Sequence, residues 1–255
     1  MRLHVSKSLL LLFLTLPFVL SSFGEAKEDS YAADYLAAKK LQQALRKNNR
    51  RVVADLIAYP LQRDPPLKAI KNAKEFLAHW DEYFDSTDTE KLLDATADQI
   101  GWRGINLSNG MIWFDHGRII TINAQTKASE IAFQTAKKQD DAKLYESARG
   151  YDSISFQCKT KDKFIRAQKH GDDLRFYAWK KGVTLLTKPE LELRGGKYDP
   201  QGTGGNFDLV FQNLALTYTI SIGHNLCGED DCNDHLEVLE GNKTQSSEVC
   251  TEVRP

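Results

Sequence analysis

The sequence predicts an α+β protein, in which N-terminal helices and an antiparallel sheet precede a small disulfide-linked all-β domain, a sandwich or barrel. Three observations predict this fold class. Apolar residues recur at helical spacing from Tyr31 to Leu93. After Gly101 the hydrophobic period changes to two, which is typical of strands. The cysteines all lie at or after position 158, so the covalent cross-links belong to the C-terminal part.

The N-terminus predicts a secretory signal peptide over residues 1–26. Arg2 and Lys7 precede an apolar run from Leu9 to Leu20, and small residues end at Ala26, where cleavage is expected. A membrane-spanning anchor needs about 20 consecutive apolar residues, and this run falls short of that length. We therefore expect a periplasmic or secreted protein with no membrane anchor after cleavage.

Composition indicates an ordinary folded chain. The sequence is 41% hydrophobic and 27% charged, and its formal net charge is −1. Both fractions are close to the averages of globular proteins. Because no strong basic excess is present, the sequence does not favour nucleic acid as a partner. No cofactor motif is found, and none is predicted.

The first element pattern predicts four helices and then hairpin strands. Two consecutive helices are expected between Tyr31 and Tyr59, with a joint at residues 47–49 and an end at Pro60. Asn72 is expected to cap a third helix, and Asp88 or Thr89 to begin a short fourth. Strands separated by turn residues follow at 102–107, 111–114 and 118–123. Residues 27–123 therefore form the predicted α+β domain.

Residues 124–148 lose apolar periodicity and are predicted to be a linker or a docking helix. Beyond them, residues 149–255 are predicted to be a β-rich domain, because short apolar runs alternate with turn residues as in a small sandwich or barrel. The predicted strands are 153–158, 164–168, 174–179, 191–193, 207–212, 215–222 and 236–239.

The four cysteines predict two disulfides, because an even count in an exported chain is typical of disulfide bonding. Cys227 and Cys232 enclose only four residues, which favours a tight loop and leaves Cys158 to pair with Cys250. A zinc site is the alternative, since His224 and His235 flank the short cysteine pair. The oxidising compartment favours disulfides, and no metal site is predicted.

Residues 31–123 resemble the nuclear transport factor 2-like (SnoaL-like) superfamily. The resemblance depends on the order of helices and strands, on Trp80-x-x-Tyr83-Phe84, and on the segments 101–113 and 119–123. It implies a cone, in which a curved sheet wraps the first helix around an interior pocket, in an exported bacterial protein of unassigned function. The C-terminal part is more loosely similar to a β-rich domain associated with such proteins.

The cone resemblance makes four aromatic residues candidates for lining a pocket: Trp80, Tyr83, Trp102 and Trp113. His79, Asp81 and Asp115 are the acid/base candidates that such a pocket would need. However, His79 and Asp81 are two residues apart on a helix and therefore face different directions. Asp115 lies in a predicted turn, where solvent exposure is the ordinary expectation. No catalytic residue is predicted.

These patterns favour a non-catalytic binding protein of the cell envelope, such as an inhibitor or immunity factor against a cell-wall-targeting enzyme. Its protein partner is expected to meet the acidic loop formed by Glu229, Asp230 and Asp231, because a basic cleft would attract these charges. One alternative is a pocket enzyme of the isomerase or dehydratase type, which requires an interior carboxylate. Another is a homodimerising structural module.

Overall fold

The computed structural model describes residues 25–100, 104–123, 125–202, 206–223 and 233–254, and it describes only the backbone of 25–30 and 252–254. Within these ranges the N-terminal part contains four helices, a single-turn 3-10 helix at Trp80–Glu82 and four short strands. The helices are α1 (Glu25–Arg46), α2 (Arg50–Leu56), α3 (Ala73–Ala78) and α4 (Ser86–Leu93). The strands β1 (Ala97–Gln99), β2 (Ile105–Leu107), β3 (Ile112–Asp115) and β4 (Arg118–Ile122) form an antiparallel sheet in sequence order.

The N-terminal core lies between α1 and one face of this four-stranded sheet. Leu41 of α1 is fully buried, as are Ile112 and Phe114 of β3. Asp34 is also buried on α1, where its Oδ1 accepts a hydrogen bond of 2.6 Å from the backbone N–H of Gly117. Because that carboxylate holds the β3–β4 turn, α1 and the sheet are joined by a polar contact as well as by apolar packing.

The described residues of the C-terminal part form one antiparallel sheet of nine strands. The strands are β5 (Ser153–Lys159), β6 (Lys163–His170), β7 (Asp173–Lys180), β8 (Leu191–Gln201), β9 (Asn206–Asn213), β10 (Leu216–Ile222), β11 (His235–Glu240), β12 (Lys243–Val249) and β13 (Glu252–Arg254). Their order in the sheet is β12-β11-β10-β9-β8-β7-β6-β5-β13. The long strand β8 pairs with β7 through its first half and with β9 through its second.

The two edges of this sheet come together because β12 leads into β13 through Cys250 and Thr251 alone. β13 pairs with β5, and the backbone N–H of Thr251 donates to the carbonyl of Lys159 at 2.7 Å. A disulfide joins Cys158 of β5 to Cys250. The sheet is therefore curled, and its two edges are tied by backbone pairing and by a covalent bond.

The curled sheet buries side chains on both faces at β6 and β7. Its inner face holds an apolar cluster that includes Phe156, Phe176, Phe211 and Ile220. Its outer face is covered by residues 142–151 and by the β7–β8 loop, which bury Leu144, Tyr151, Tyr177 and Trp179. A strand that is buried on both faces reads as a nearly continuous apolar run, as Phe176 to Trp179 does.

Helix α5 (Lys127–Asp141) contacts both parts of the molecule. Thr126 caps it, and the Thr126 hydroxyl donates to the carbonyl of Asp81 at 3.0 Å. At its other end, Asp140 accepts from the buried guanidinium of Arg166 at 2.7 Å and from the hydroxyl of Tyr151 at 2.9 Å. The residues predicted to be a linker or docking helix thus include an ordered helix with a polar contact at each end.

The predicted fold class is wrong. The chain is mostly β, with two antiparallel sheets of four and nine strands in the described residues, and with few helices. The N-terminal strands are only three to five residues long, which is too short for a sheet that wraps a helix into a cone. The C-terminal part is the larger sheet of the molecule and not a small appended domain.

The predicted disulfide between Cys158 and Cys250 is confirmed. The second predicted disulfide, between Cys227 and Cys232, lies outside the described residues, as does the predicted signal peptide up to Gly24. A disulfide fits a protein of an oxidising, extracellular-type compartment. None of the helices in the described ranges has the length and apolar character that a membrane span requires.

Candidate functional site

A cleft of about 470 Å³ opens between the α1–α2 joint on one side and the 3-10 helix with α4 on the other. Apolar side chains form its floor, and charged or polar side chains surround it. The floor includes Leu45, Trp80 and Phe84, and the polar lining comprises Asn48, Asn49, Arg50, Asp81, Asp85, Ser86, Thr89 and Glu90.

Asparagine residues build the first wall of the cleft. Asn48 adopts a left-handed conformation, with φ of 48°, and asparagine tolerates it better than most residues as a helix ends. Asn49 then caps α2, because its side-chain oxygen accepts from the backbone N–H of Val52 at 3.3 Å. The joint is therefore a defined turn between two helices, and it places Arg50 at the edge of the cleft.

The second wall is held in place by α1. The side-chain amide of Gln42 donates to the carbonyls of Leu92 and Ala95 at 2.9 and 2.8 Å. These bonds satisfy acceptors at and just beyond the end of α4, where the helix itself supplies no partner. At the start of α4, the side chain of Asp85 accepts from the N–H of Asp88 at 2.8 Å and caps the helix. Both ends of the α4 wall are thus fixed.

Arg50 and Trp80 meet across the cleft. The guanidinium carbon of Arg50 lies 4.9 Å from the centroid of the Trp80 ring, which is a cation–π geometry. The guanidinium also lies 4.0 Å from a carboxylate oxygen of Asp81. Both charged side chains are largely exposed, so this ion pair adds little stability and leaves the groups accessible to a ligand.

The charge of the cleft is predominantly negative. Asp81, Asp85 and Glu90 are exposed carboxylates, and they face one cation, Arg50, within the lining. The arrangement can bind a cationic or hydrogen-bonding surface by charge complementarity. It offers carboxylates, amides and hydroxyls as acceptors, and Arg50 and the amides as donors. Within the described ranges, the cleft included, no group of three or more His, Cys, Asp or Glu side chains is placed to hold a metal ion.

The structure does not bring together the three aromatic pocket candidates that it describes, Trp80, Tyr83 and Trp113. Trp80 lines the cleft with its ring packed 4.7 Å from that of Phe84. Tyr83 lies in the N-terminal core, where burial raises the pKa of its phenol to about 12. Trp113 is on β3 between the core residues Ile112 and Phe114, so its side chain faces away from that core. Trp102 lies outside the described residues.

The acid/base candidates are also separated. His79 pairs with Glu82, at 2.6 Å between Nδ1 and Oε1, instead of with Asp81. Glu82 in turn forms an ion pair with the buried side chain of Arg63. Asp115 is exposed in the β3–β4 hairpin, 3.7 Å from His116. Sequence spacing could have indicated Glu82, because residues three apart are neighbours on a helix, but Arg63 comes from a distant loop.

The predicted partner loop, Glu229 to Asp231, lies outside the described residues. The cleft was missed as a site because its residues come from three separate segments, the α1–α2 joint, the 3-10 helix and α4. A signal for it was present in the cap residues: Asn49 and Asp85 each mark a helix start, and both line the cleft.

No family model, curated protein or solved structure matches this chain. The resemblance to the nuclear transport factor 2-like superfamily therefore stays a prediction.

Proposed function

We propose that the protein is exported and acts in the periplasm or outside the cell as a non-catalytic binding protein. It recognises a protein partner through the cleft between the α1–α2 joint and α4, which we call the α1–α2 cleft. The partner is a cell-wall-targeting enzyme, which the chain blocks as an inhibitor or immunity factor. The observation that carries this proposal is the accessible, mainly acidic cleft, whose walls are fixed by side-chain caps.

Charge supports this kind of partner. The exposed carboxylates of Asp81, Asp85 and Glu90 favour a basic surface, such as the substrate cleft of an enzyme that acts on an anionic polymer. Complementary charges raise the association rate as well as the specificity, and this effect decreases with ionic strength. The Arg50 guanidinium lying over the Trp80 ring adds a flat, partly apolar contact of the type that is common at the centres of interfaces.

The alternative of a pocket enzyme receives no support from the carboxylates it would need. That reaction class requires an interior acid, yet the four carboxylates in residues 90–123 are exposed: Glu90, Asp94, Asp98 and Asp115. The buried carboxylates of Asp34 and Asp88 instead accept structural hydrogen bonds, from the N–H of Gly117 and from the ammonium of Lys91. The buried polar side chain of β2, Asn106, is engaged in two structural hydrogen bonds, to the carbonyl of Asp98 and from the N–H of Gly110.

The proposal is tested by capture of partners from the native cell envelope on the immobilised chain, residues 27–255, followed by mass spectrometry. We expect one stoichiometric protein to be retained at low salt, and to be lost from a variant in which Asp81→Lys and Glu90→Lys reverse the charge of the cleft. The matched control is Asp172→Lys, an exposed position in the β6–β7 turn. Equal retention by both variants, or retention of no protein, would overturn the proposal.

A further inference from the structure

The β7–β8 loop exposes two large apolar side chains to solvent, and lysines lie on either side of them in the sequence. Its sequence from Lys180 to Lys188 is Lys-Lys-Gly-Val-Thr-Leu-Leu-Thr-Lys. Val183 and Leu186 are 44% and 51% exposed, whereas Leu185 between them packs under the loop against the outer face of the curled sheet. The loop therefore separates one buried apolar residue from two that contact solvent.

Hydrogen bonds hold the loop in this conformation. The indole N–H of the buried Trp179 donates to the carbonyl of Thr187 at 2.9 Å, and the N–H of Tyr145 donates to the carbonyl of Leu185 at 2.7 Å. The Thr187 hydroxyl donates to the carbonyl of Thr184 at 2.6 Å. Because the loop is anchored on both sides, the exposure of Val183 and Leu186 is a fixed feature of the surface.

A cleft of about 420 Å³ adjoins this loop and is lined by lysines from two neighbouring turns. Lys161 lies in the β5–β6 turn and Lys163 begins β6, whereas Lys180 ends β7 and Lys181 begins the β7–β8 loop. The Glu248 carboxylate forms an ion pair with Lys163, so that lysine is already neutralised. Burial acts to raise the pKa of Glu248, but the hydrogen bonds from Lys163 and Thr160 outweigh it and lower that pKa. Asp162 and Glu190 are the other carboxylates of the lining.

The net charge of the residues around this cleft and the β7–β8 loop is nevertheless positive. Leaving out the Lys163–Glu248 pair, four lysines (Lys161, Lys180, Lys181 and Lys188) stand against the two carboxylates Asp162 and Glu190. We name these six charged residues, together with Val183 and Leu186, the lysine-loop surface. Exposed apolar side chains that are flanked in sequence by lysines match an anionic lipid interface, where apolar groups enter the acyl boundary and lysines meet the headgroups.

We propose that the lysine-loop surface binds the surface of an anionic phospholipid membrane. Five of its members come from the single segment 180–188, so they approach a plane together, whereas a small soluble anion would leave Val183 and Leu186 unused. Each lysine near such a surface strengthens binding about fivefold, and this contribution is screened within a Debye length. The contact is peripheral and reversible, and it uses none of the residues that line the α1–α2 cleft.

The test is flotation of the chain, residues 27–255, with vesicles of phosphatidylcholine that contain phosphatidylglycerol, compared with vesicles of phosphatidylcholine alone. We expect binding only to the anionic vesicles, and weaker binding as salt is raised. The double variant Lys180→Gln, Lys181→Gln is expected to bind about 20-fold more weakly, and Leu186→Ser about tenfold more weakly.

Matched controls come from α1, whose lysines and apolar residues are equally exposed. Lys39→Gln with Lys40→Gln, and separately Leu36→Ser, should leave vesicle binding unchanged. Failure of the wild-type chain to float with anionic vesicles would overturn the proposal, as would an equal loss in the α1 controls. Release by inorganic phosphate, with Leu186→Ser binding like wild type, would assign the lysines to a soluble anion and also overturn it.

Discussion

Gly196 shows how one residue determines the path of the curled sheet. It lies where β8 passes from its pairing with β7 to its pairing with β9. A Cβ atom at this position would overlap the ring of Phe211, which is fully buried in the inner cluster. The absence of a side chain therefore allows the Phe211 ring to pack directly on the strand that both halves of the sheet share.

We predict that Gly196→Ala destabilises the protein by about 1–3 kcal/mol, because the Phe211 ring must move within a packed core. The free energy of unfolding, measured in urea, checks this value. The stability lost through Gly196→Ala should be smaller in the Phe211→Leu background than in the wild-type protein, because leucine leaves room for the added Cβ atom. Additive losses in the two variants would contradict the packing explanation.

His170 is the residue whose charge is expected to matter near neutral pH. Burial lowers the pKa of its imidazole, and Arg175 and Arg194 lower it further, against the opposing effects of Asp152 and Asp173. Its Nε2 lies 2.9 Å from Nε2 of Gln168, whose oxygen accepts from Arg166 at 2.6 Å. Since Gln168 presents its N–H₂ group, His170 Nε2 must accept and is neutral in the fold.

The pH dependence follows from this lowered pKa. The unfolded chain binds the proton at about pH 6.5 and the folded chain at a lower pH, so the folded state is favoured above about pH 6.5. We predict that stability falls as the pH decreases from about 6.5 through the folded pKa of His170. Urea unfolding at a series of pH values should show a smaller decrease for His170→Gln, and an identical profile for both proteins would contradict the assignment.

At the scale of elements, α5 is attached to the curled sheet through one buried cation. Arg166 is 1% exposed at its side chain, and its guanidinium contacts Asp140, Gln168 and the ring of Tyr151. The Asp140 carboxylate also accepts from the Tyr151 hydroxyl, and burial followed by that carboxylate raises the pKa of Tyr151. The end of α5 is therefore joined to β6 by a network whose members are all hydrogen-bonded.

We predict that Asp140→Ala destabilises the protein by about 3–5 kcal/mol, because it leaves the Arg166 guanidinium buried without its counter-charge. Hydrogen exchange should show faster exchange of the α5 amides in this variant. The double variant Asp140→Ala, Arg166→Met removes the stranded charge and should be more stable than Asp140→Ala alone. A double variant that is less stable would show that the ion pair acts in another way.

Elements with a strong local signal were predicted from sequence, and elements that depend on distant partners were not. The Asn72 cap and α3 after it follow from local capping chemistry. β12 was missed because its side chains are mostly polar and exposed, so no alternation marks it. β8 was predicted only at its first three residues. Gly195, Gly196 and Pro200 are residue types that are unfavourable within strands, so the sequence does not indicate the rest of this strand, which pairing with distant strands stabilises.

At the scale of the whole molecule, the fold-class error has one physical source. Helical periodicity is strong in the N-terminal part, whereas strands that lie at sheet edges or pass between the halves of a sheet carry weak patterns. The candidate cleft was missed for a related reason, because its residues converge from three segments. Neither Asn49 nor Asp85 was predicted as a site residue, and the fourth helix was expected to begin at Asp88 or Thr89, whereas Asp85 caps it.

The disulfide is expected to contribute strongly to global stability, because Cys158 and Cys250 are 92 residues apart in sequence. Closing so long a loop removes much of the conformational entropy of the unfolded chain, and loss of such a bond typically costs about 2–5 kcal/mol. We predict a decrease of this size in the free energy of unfolding for Cys158→Ala with Cys250→Ala. An unchanged urea midpoint would show that backbone pairing alone holds the sheet edges together.

The most direct test of the proposed function is site-specific photo-crosslinking in the native host. A photoreactive amino acid replaces Thr89, which lines the α1–α2 cleft, or, as a control, Asp172 in the β6–β7 turn. The account predicts one discrete crosslinked protein from position 89, identified as an envelope enzyme, and none from position 172. Absence of a crosslink at position 89, or the same crosslinked protein from both positions, would contradict the claim that this cleft is the binding site.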